Sequence, residues 1–170
     1  MLKSFKILII GDVRRGKTSL TSKLVDVLAQ LCGEDRITVL DFAPDYGGVG
    51  SRVSIRSKVR ILRPEGLKAP RLMARDCNEL WEYVRINRSL TEEALREYMI
   101  NPTPVLVIND LSIHLHTGDL NLLLKVMELP LLFIANSYYG DTLRDDCGLS
   151  IIEKKAVEEL MSKVDYIWRL

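Results

Sequence analysis

The sequence predicts an α/β fold, a three-layer sandwich with a mainly parallel five-stranded sheet between helices. Three observations carry that expectation. Short apolar runs alternate along the chain with segments whose apolar residues recur at helical spacing. The runs are mainly apolar, as suits strands covered on both faces. The first of them feeds a glycine-containing turn and then an amphipathic helix.

Residues 5–10 (FKILII) form the first run, stopped by Gly11. Leu20, Leu24, Val27, Leu28 and Leu31 then line one face of a helix over residues 17–31, with Gly33 just past its end. Residues 37–42 (ITVLDF) are a second strand, cut off by the Pro and Gly cluster APDYGGVG. Residues 52–62 alternate, with Val53, Ile55, Val59 and Ile61 apolar, which suits a hairpin or an edge strand pair. Ala74, Cys77, Leu80, Trp81 and Val84 mark a helix, and Ser89-Leu-Thr-Glu92 reads as a capping box opening another that stops at Asn101-Pro102. Residues 105–108 are a third strand, 117–128 a helix and 131–135 a fourth strand. Ser150-Ile-Ile-Glu153 is a second capping box, starting a helix to about Lys163, and residues 166–170 are a last short strand. With no repeat, low-complexity tract or linker, residues 1–170 read as one nucleotide-binding domain.

Composition narrows the function classes. The chain is 47% hydrophobic and 28% charged, the make-up of a soluble globular protein. Its 24 basic and 23 acidic residues nearly cancel, which gives no electrostatic case for bulk nucleic-acid or membrane binding. Apolar runs such as 129–135 are too short to span a bilayer, and the first residues do not form a signal peptide. Cys32, Cys77 and Cys147 make no CxxC pair, so free, half-buried thiols in a reducing cytoplasm are expected.

The chemistry is concentrated in GDVRRGKT, residues 11–18, which fits G-x-x-x-x-G-K-[ST] in full. The glycines let backbone N–H groups converge on anionic oxygens, and the following helix aims its positive end at the same point. Gly11, Asp12, Val13, Arg14, Arg15, Gly16, Lys17, Thr18 and Ser19 are therefore the expected nucleotide-binding stretch. Lys17 would neutralise the β- and γ-phosphates, and the Thr18 hydroxyl would ligate Mg²⁺. Arg14 and Arg15 read as solvated charges at the loop tip, or as a source of an arginine finger. Such a metal wants a carboxylate at the end of a strand, in the ligand crevice of a parallel sheet. Asp110 after VLVIN and Asp41 at the end of ITVL are the candidates, for metal or for water, against a turn-capping role.

The stretch ITVLDFAPDYGG, together with the phosphate loop, resembles the SIMIBI class of P-loop NTPases. That class includes the MinD/ParA ATPases, the nitrogenase iron protein and dethiobiotin synthetase. Asp41 and Pro44 match the first Asp and the Pro of the Asp-x-Asp-Pro strand end of MinD/ParA members, whereas Ala43 replaces the water-orienting second Asp. In LLFIANSYYGDTLRDD, Asn136-Ser137 sits where the class places a purine-reading Asn, and an Asn amide both donates to and accepts from a purine edge. An Asx-turn is the plainer reading. The resemblance implies a P-loop NTPase fold with strands ordered second, third, first, fourth, fifth. It also implies a purine nucleotide as ligand. Asp12 stands where MinD/ParA ATPases carry a lysine that reaches across a dimer, so that sandwich is not expected; another protein partner or homodimer stays open.

The guanine-reading Asn-Lys-x-Asp is absent, which favours ATP over GTP. His114 and His116 lack a third ligand at metal spacing and are expected to be a solvated loop pair. The basic run from Arg52 through Arg71 to Arg75 is expected to be a solvated face, or else an acceptor clamp or lid. Gly47, Gly48 and Gly50 form either a hinge or a turn. The expected function is Mg²⁺-dependent binding of ATP (or GTP), with slow hydrolysis or a regulatory cycle. In it Lys17, Asp41 and Asp110 carry the chemistry. The alternative is an ATP-dependent small-molecule kinase or dethiobiotin-synthetase-like ligase, and a third reading is a module that binds nucleotide without turnover.

Overall fold

A computed structural model describes residues 3–170 and contains one sheet of six strands, all parallel. The strands are β1 (Phe5–Gly11), β2 (Ile37–Asp41), β3 (Arg60–Leu62), β4 (Val105–Asn109), β5 (Leu132–Tyr138) and β6 (Tyr166–Arg169). Their order is β3-β2-β4-β5-β1-β6. The expected count of five is thereby corrected, because Arg60–Leu62 adds a short edge strand beside β2. The expected order is corrected as well. β5 pairs with β1 from Phe5↔Leu132 to Gly11↔Tyr138 and with β4 on its other side, so it separates the glycine-loop strand from the strand leading to Asp110. Periodicity marks strands but is silent on which long-range pairs they make.

Alternate residues of the strands feed two cores. On one face Ile9, Ile37, Val39, Val107 and Ile134 pack with Val25 and Ala29 of α1 (Lys17–Cys32). On the other, Leu8, Ile10, Leu40, Leu106, Ile108 and Phe133 pack with α3 (Cys77–Ile100), α5 (Asn121–Val126) and α6 (Leu149–Met161). Two single-turn helices, α2 (Pro70–Met73) and α4 (Ser112–Leu115), and a 3-10 turn at Glu34–Arg36 complete the helical set among the described residues. Helix α1 ends as expected, with the Gly33 amide donating to the Ala29 carbonyl.

Elsewhere tertiary packing overrides local signals. The two helices expected between residues 74 and 101 are one helix of 24 residues, opened by the Asp76 carboxylate accepting from the Glu79 amide at 2.8 Å. The supposed capping box is helix interior: Thr91 is buried and donates to the Asn87 carbonyl, and Glu92 pairs with Arg88. The second box is displaced too. Gly148, at φ 85°, precedes α6, and Asp145 accepts from the amides of Leu149 and Ser150. Only Asn121–Val126 of the 117–128 segment is helical within α5.

No hairpin forms over residues 52–62. Residues 51–58 run as an extended strap along α1, where Ser54 donates its amide to Ser22 Oγ, Arg56 and Ser57 to Asp26, and Lys58 to Glu34. Val53, Ile55 and Val59 turn into the α1 core, which explains their alternation without a partner strand. Residues 46–49 make a two-residue turn with Gly47 at φ 59° and Gly48 at φ 72°, the left-handed pair that a tight turn of this kind needs.

The cysteine expectation is also corrected. Cys77 and Cys147 form a disulfide joining the start of α3 to the segment before α6, and only Cys32 is a free thiol. The inference from unpaired thiols to a reducing compartment falls with it. Among the described residues no helix is long and apolar enough to cross a membrane. The bridge closes a loop of sequence separation 70, so its removal should destabilise the fold by about 4 kcal/mol through the freer unfolded chain. Urea unfolding of Cys147→Ser against the oxidised unsubstituted chain measures that loss, and the reduced unsubstituted chain should show the same deficit.

Candidate functional site: a crevice at the loop between β1 and α1

The loop between β1 and α1 leaves its amides free. Gly16 sits at φ 84°, ψ 15°, and Arg14 at φ 56°, left-handed values that bend the chain sharply into α1. The first main-chain bond of the helix runs from the Leu20 amide to the Gly16 carbonyl at 2.9 Å. Among the described residues the amides of residues 14–19 have no acceptor. No acidic residue sits in the first turn to satisfy them, so the positive end of α1 is open to an anion.

The Lys17 ammonium donates to the Asp12 carbonyl within the loop. Burial pushes its pKa down, against the opposing pull of the Asp110 and Asp12 carboxylates. Asp12 ties the loop to the turn after β5, accepting from the Asp141 amide at 3.2 Å and the Thr142 hydroxyl at 2.8 Å. Burial alone would raise its pKa, but the bonds from Val13, Thr142 and Asp141 hold it below the ordinary value. Gly140 has to be glycine at this contact, since a Cβ would overlap the Asp12 carboxylate.

Behind the loop a row of buried polar side chains crosses the strand ends. Asn136 on β5 donates to Thr21 Oγ1 of α1 at 2.8 Å and to Asn109 Oδ1 on β4 at 2.7 Å, and accepts from the Asp110 amide at 2.9 Å. Asn109 donates in turn to Asp41 on β2 at 2.8 Å and to the Ser51 carbonyl at 3.0 Å. Asp41, fully buried, also accepts from the Val53 amide and from the Arg63 guanidinium at 2.7 Å. Asp41 thus anchors the strap, and both N–H donors of Asn136 are used within the fold.

The crevice itself has a volume of about 1270 Å³. Residues 13–19 form one wall and residues 48–52 another, with Asp110 and Asn136 at the strand ends. Gly50 packs so tightly that a Cβ would sit 2.9 Å from Asp110 Oδ2. Asp110 is itself at φ 55°, a strained conformation for a side chain other than glycine. Its Oδ1 accepts from Ser112 Oγ at 2.7 Å. Burial raises the pKa of Asp110, only partly countered by that bond and by His116 and Lys17.

Beyond Asp110 the crevice continues to Arg71, Ser112, His116, Tyr138 and Glu153. Here a buried ionic cluster links three helices. Glu153 of α6 meets His116 Nε2 at 2.7 Å and Arg71 of α2 at 2.8 Å, and Arg71 also reaches Asp145 at 3.4 Å. Burial would raise the Glu153 pKa, but His116 and Arg71 outweigh it and hold the carboxyl below 4.5. The expected solvated histidine pair is therefore corrected, as both rings are buried. His114 bonds Thr91 through Nδ1 at 2.8 Å and lies 3.1 Å from Arg88 through Nε2; burial and the Arg88 charge push its pKa down to about 3. Arg71 is likewise buried rather than a solvated charge.

Of the residues singled out from sequence, Val13, Arg14, Arg15, Gly16, Lys17, Thr18, Ser19, Asp110 and Asn136 line this one crevice. Gly11, Asp12 and Asp41 do not; they brace it from behind. Sequence reasoning passed over Asn109, Glu153 and Asp145, whose partners are far away in the chain. A cue existed for Glu153, which falls on the apolar face of α6 beside Ala156 and Leu160. No family model matches the chain, and no curated protein is significantly similar to it.

Two outcomes test these roles. Asp41→Ala strands Arg63, Asn109 and the Val53 amide, and should cost about 3 kcal/mol while speeding amide hydrogen exchange in the strap at residues 53–57. Glu153 has a lowered folded pKa, so its stabilisation is complete above pH 4.5 and is lost as pH falls through the folded value. Thermal unfolding against pH should show Glu153→Gln less stable at neutral pH, with a smaller further loss below pH 4.5 than the unsubstituted chain.

Proposed function

We propose that the chain is a P-loop nucleotide-binding protein that takes a purine nucleoside triphosphate with Mg²⁺ and hydrolyses it slowly or cycles between nucleotide states. One observation carries this reading: the unpaired amides of residues 14–19 at the positive end of α1, with Lys17 beside them. Any helix start leaves four amides unpaired, and here the amides of residues 14 and 15 and the Lys17 side chain add to them. ATP is favoured over GTP because the guanine-reading carboxylate is missing from the segment after β5.

Lys17 would hold the β- and γ-phosphates. Thr18 and Asp110 are hard oxygen donors on one crevice, which fits Mg²⁺. Among the described residues no group of three or more His, Cys, Asp or Glu forms a metal cage, so the phosphates would supply the other ligands. When bound, that ion neutralises charge on the transferring phosphoryl group. The other contributions come from this chain: the loop amides orient the phosphates, and Gly50 of the facing turn packs against Asp110. Base contact by Asn136 is not carried into the proposal, since both of its N–H donors are used within the fold. The SIMIBI branch is not carried either, because β5 lies where the resemblance required β1 to meet β4.

A phosphotransferase is the second reading. The crevice exceeds the roughly 300–1,000 Å³ usual for a single small-molecule site and continues past the loop to Arg71, His116 and Glu153. A switch would instead reorder residues 43–52 between the di- and triphosphate states.

Calorimetric titration with ATP, GTP and their diphosphates, with and without Mg²⁺, tests the proposal. Lys17→Ala should weaken triphosphate binding about 10–100-fold, the worth of one charge-assisted contact. Equal heats for the two proteins would remove Lys17 from the site.

A further inference from the structure

We propose that His116 is the general base of the crevice, accepting through Nδ1 the proton of the hydroxyl group that attacks the γ-phosphate. This rests on the nucleotide reading above and adds to it the residue that takes the proton.

The ring is fixed by its partners. His116 Nε2 lies 2.7 Å from Glu153 Oε2, and the Arg71 guanidinium donates to both oxygens of that carboxyl group, as it does to a carboxylate that can only accept. The Nε2 proton is thus held in place, which leaves Nδ1 as the acceptor of the ring in its neutral tautomer. That atom is buried and has no hydrogen-bond partner; among the described residues it is the only buried side-chain nitrogen or oxygen so placed. The contrast with His114 is direct, because both of that ring's nitrogens are partnered. A buried acceptor without a donor is unfavourable, so the site suits a donor that the chain does not supply. An O–H group is such a donor.

Position agrees with chemistry. His116 lines the same crevice as residues 13–19 and Asp110. Glu153 orients the ring from α6 and is in turn pinned by Arg71 of α2, the arrangement by which a carboxylate fixes a catalytic imidazole. Tyr138 of β5 and Ser112 of α4 line the same region and complete the pocket for the attacking group. In the step itself a bond forms from the hydroxyl oxygen to the γ-phosphorus, and the bond from that phosphorus to the β,γ-bridging oxygen breaks. The electron pair leaves with the diphosphate, and the hydroxyl proton passes to Nδ1.

Water and an alcohol both supply an O–H group, and one experiment separates them. The full chain is given ATP labelled in its γ-phosphate with Mg²⁺, in buffer alone and in buffer with glycerol as the alcohol probe. Label in inorganic phosphate alone identifies water; label in glycerol phosphate identifies an alcohol acceptor site. In whichever arm carries turnover, His116→Gln should bind ATP as tightly as the unsubstituted chain, slow turnover about a hundredfold or more, and lose the acid limb of the pH–rate profile. The groups facing the ring, Glu153, Arg71 and Asp110, remain in that variant and would preserve the limb if they caused it. Unchanged turnover, an unchanged profile, or no labelled product in either arm from a chain that binds ATP would overturn the proposal. Absence of ATP binding would instead fell the nucleotide reading on which it stands. Should His116→Gln fail to fold, imidazole nitrogen NMR of the unsubstituted chain decides: the proton must reside on Nε2, and the Nδ1–H tautomer would refute the role.

Discussion

The fold depends on the buried row Thr21–Asn136–Asn109–Asp41, which runs at right angles to the strands across the ends of β5, β4 and β2. Each of these side chains is almost wholly removed from water. A typical bond in the row contributes about 1 kcal/mol net, but breaking one strands both groups in a medium that cannot solvate them. The row therefore acts more as a constraint than as glue. Sliding β4 by one residue against either neighbour would turn Asn109 to the opposite face and leave Asn136 and Asp41 without their partner. Because Thr21 belongs to α1, the same row fixes the helix into which the loop of residues 12–16 leads.

Around that rigid frame the unfavourable features gather in one place. Arg14 and Asp110 take left-handed backbone angles, Lys17 and Asp110 have pKa values displaced by burial, the amides of residues 14–19 lack acceptors, and His116 Nδ1 lacks a donor. A domain selected for stability alone would relieve several of these. Their clustering on one crevice is the pattern expected where local strain and unmet polarity serve a ligand.

Much of this was legible in the sequence where the signal is local. The loop, the helix after it and the Gly33 stop follow from residue types at fixed spacing, and the strands through Ile37, Val105 and Leu132 follow from mainly apolar runs. What could not be read is set by partners distant in the chain. Thr91 looks like a capping-box residue until α3 is seen to bury it, and Val53, Ile55 and Val59 look like a strand until α1 supplies their contacts. Asp41 and Asn136 look like ligand-facing groups at strand ends, but they satisfy each other's neighbours. Cys77 and Cys147 carry no spacing signature, since the bridge depends on where α3 and α6 begin.

That bridge encloses β4 and β5, the two innermost strands, within one covalent ring, while β3 and β6 lie at the margins outside it. Partial opening of the molecule is expected to start at those short margins, where the ladders are shortest and most exposed to solvent. The ring limits how far such fraying can spread, because the central pair cannot separate widely while its two ends stay tied. Partly open forms with long bare strand edges, the species most given to sticking to other copies, are thereby kept scarce.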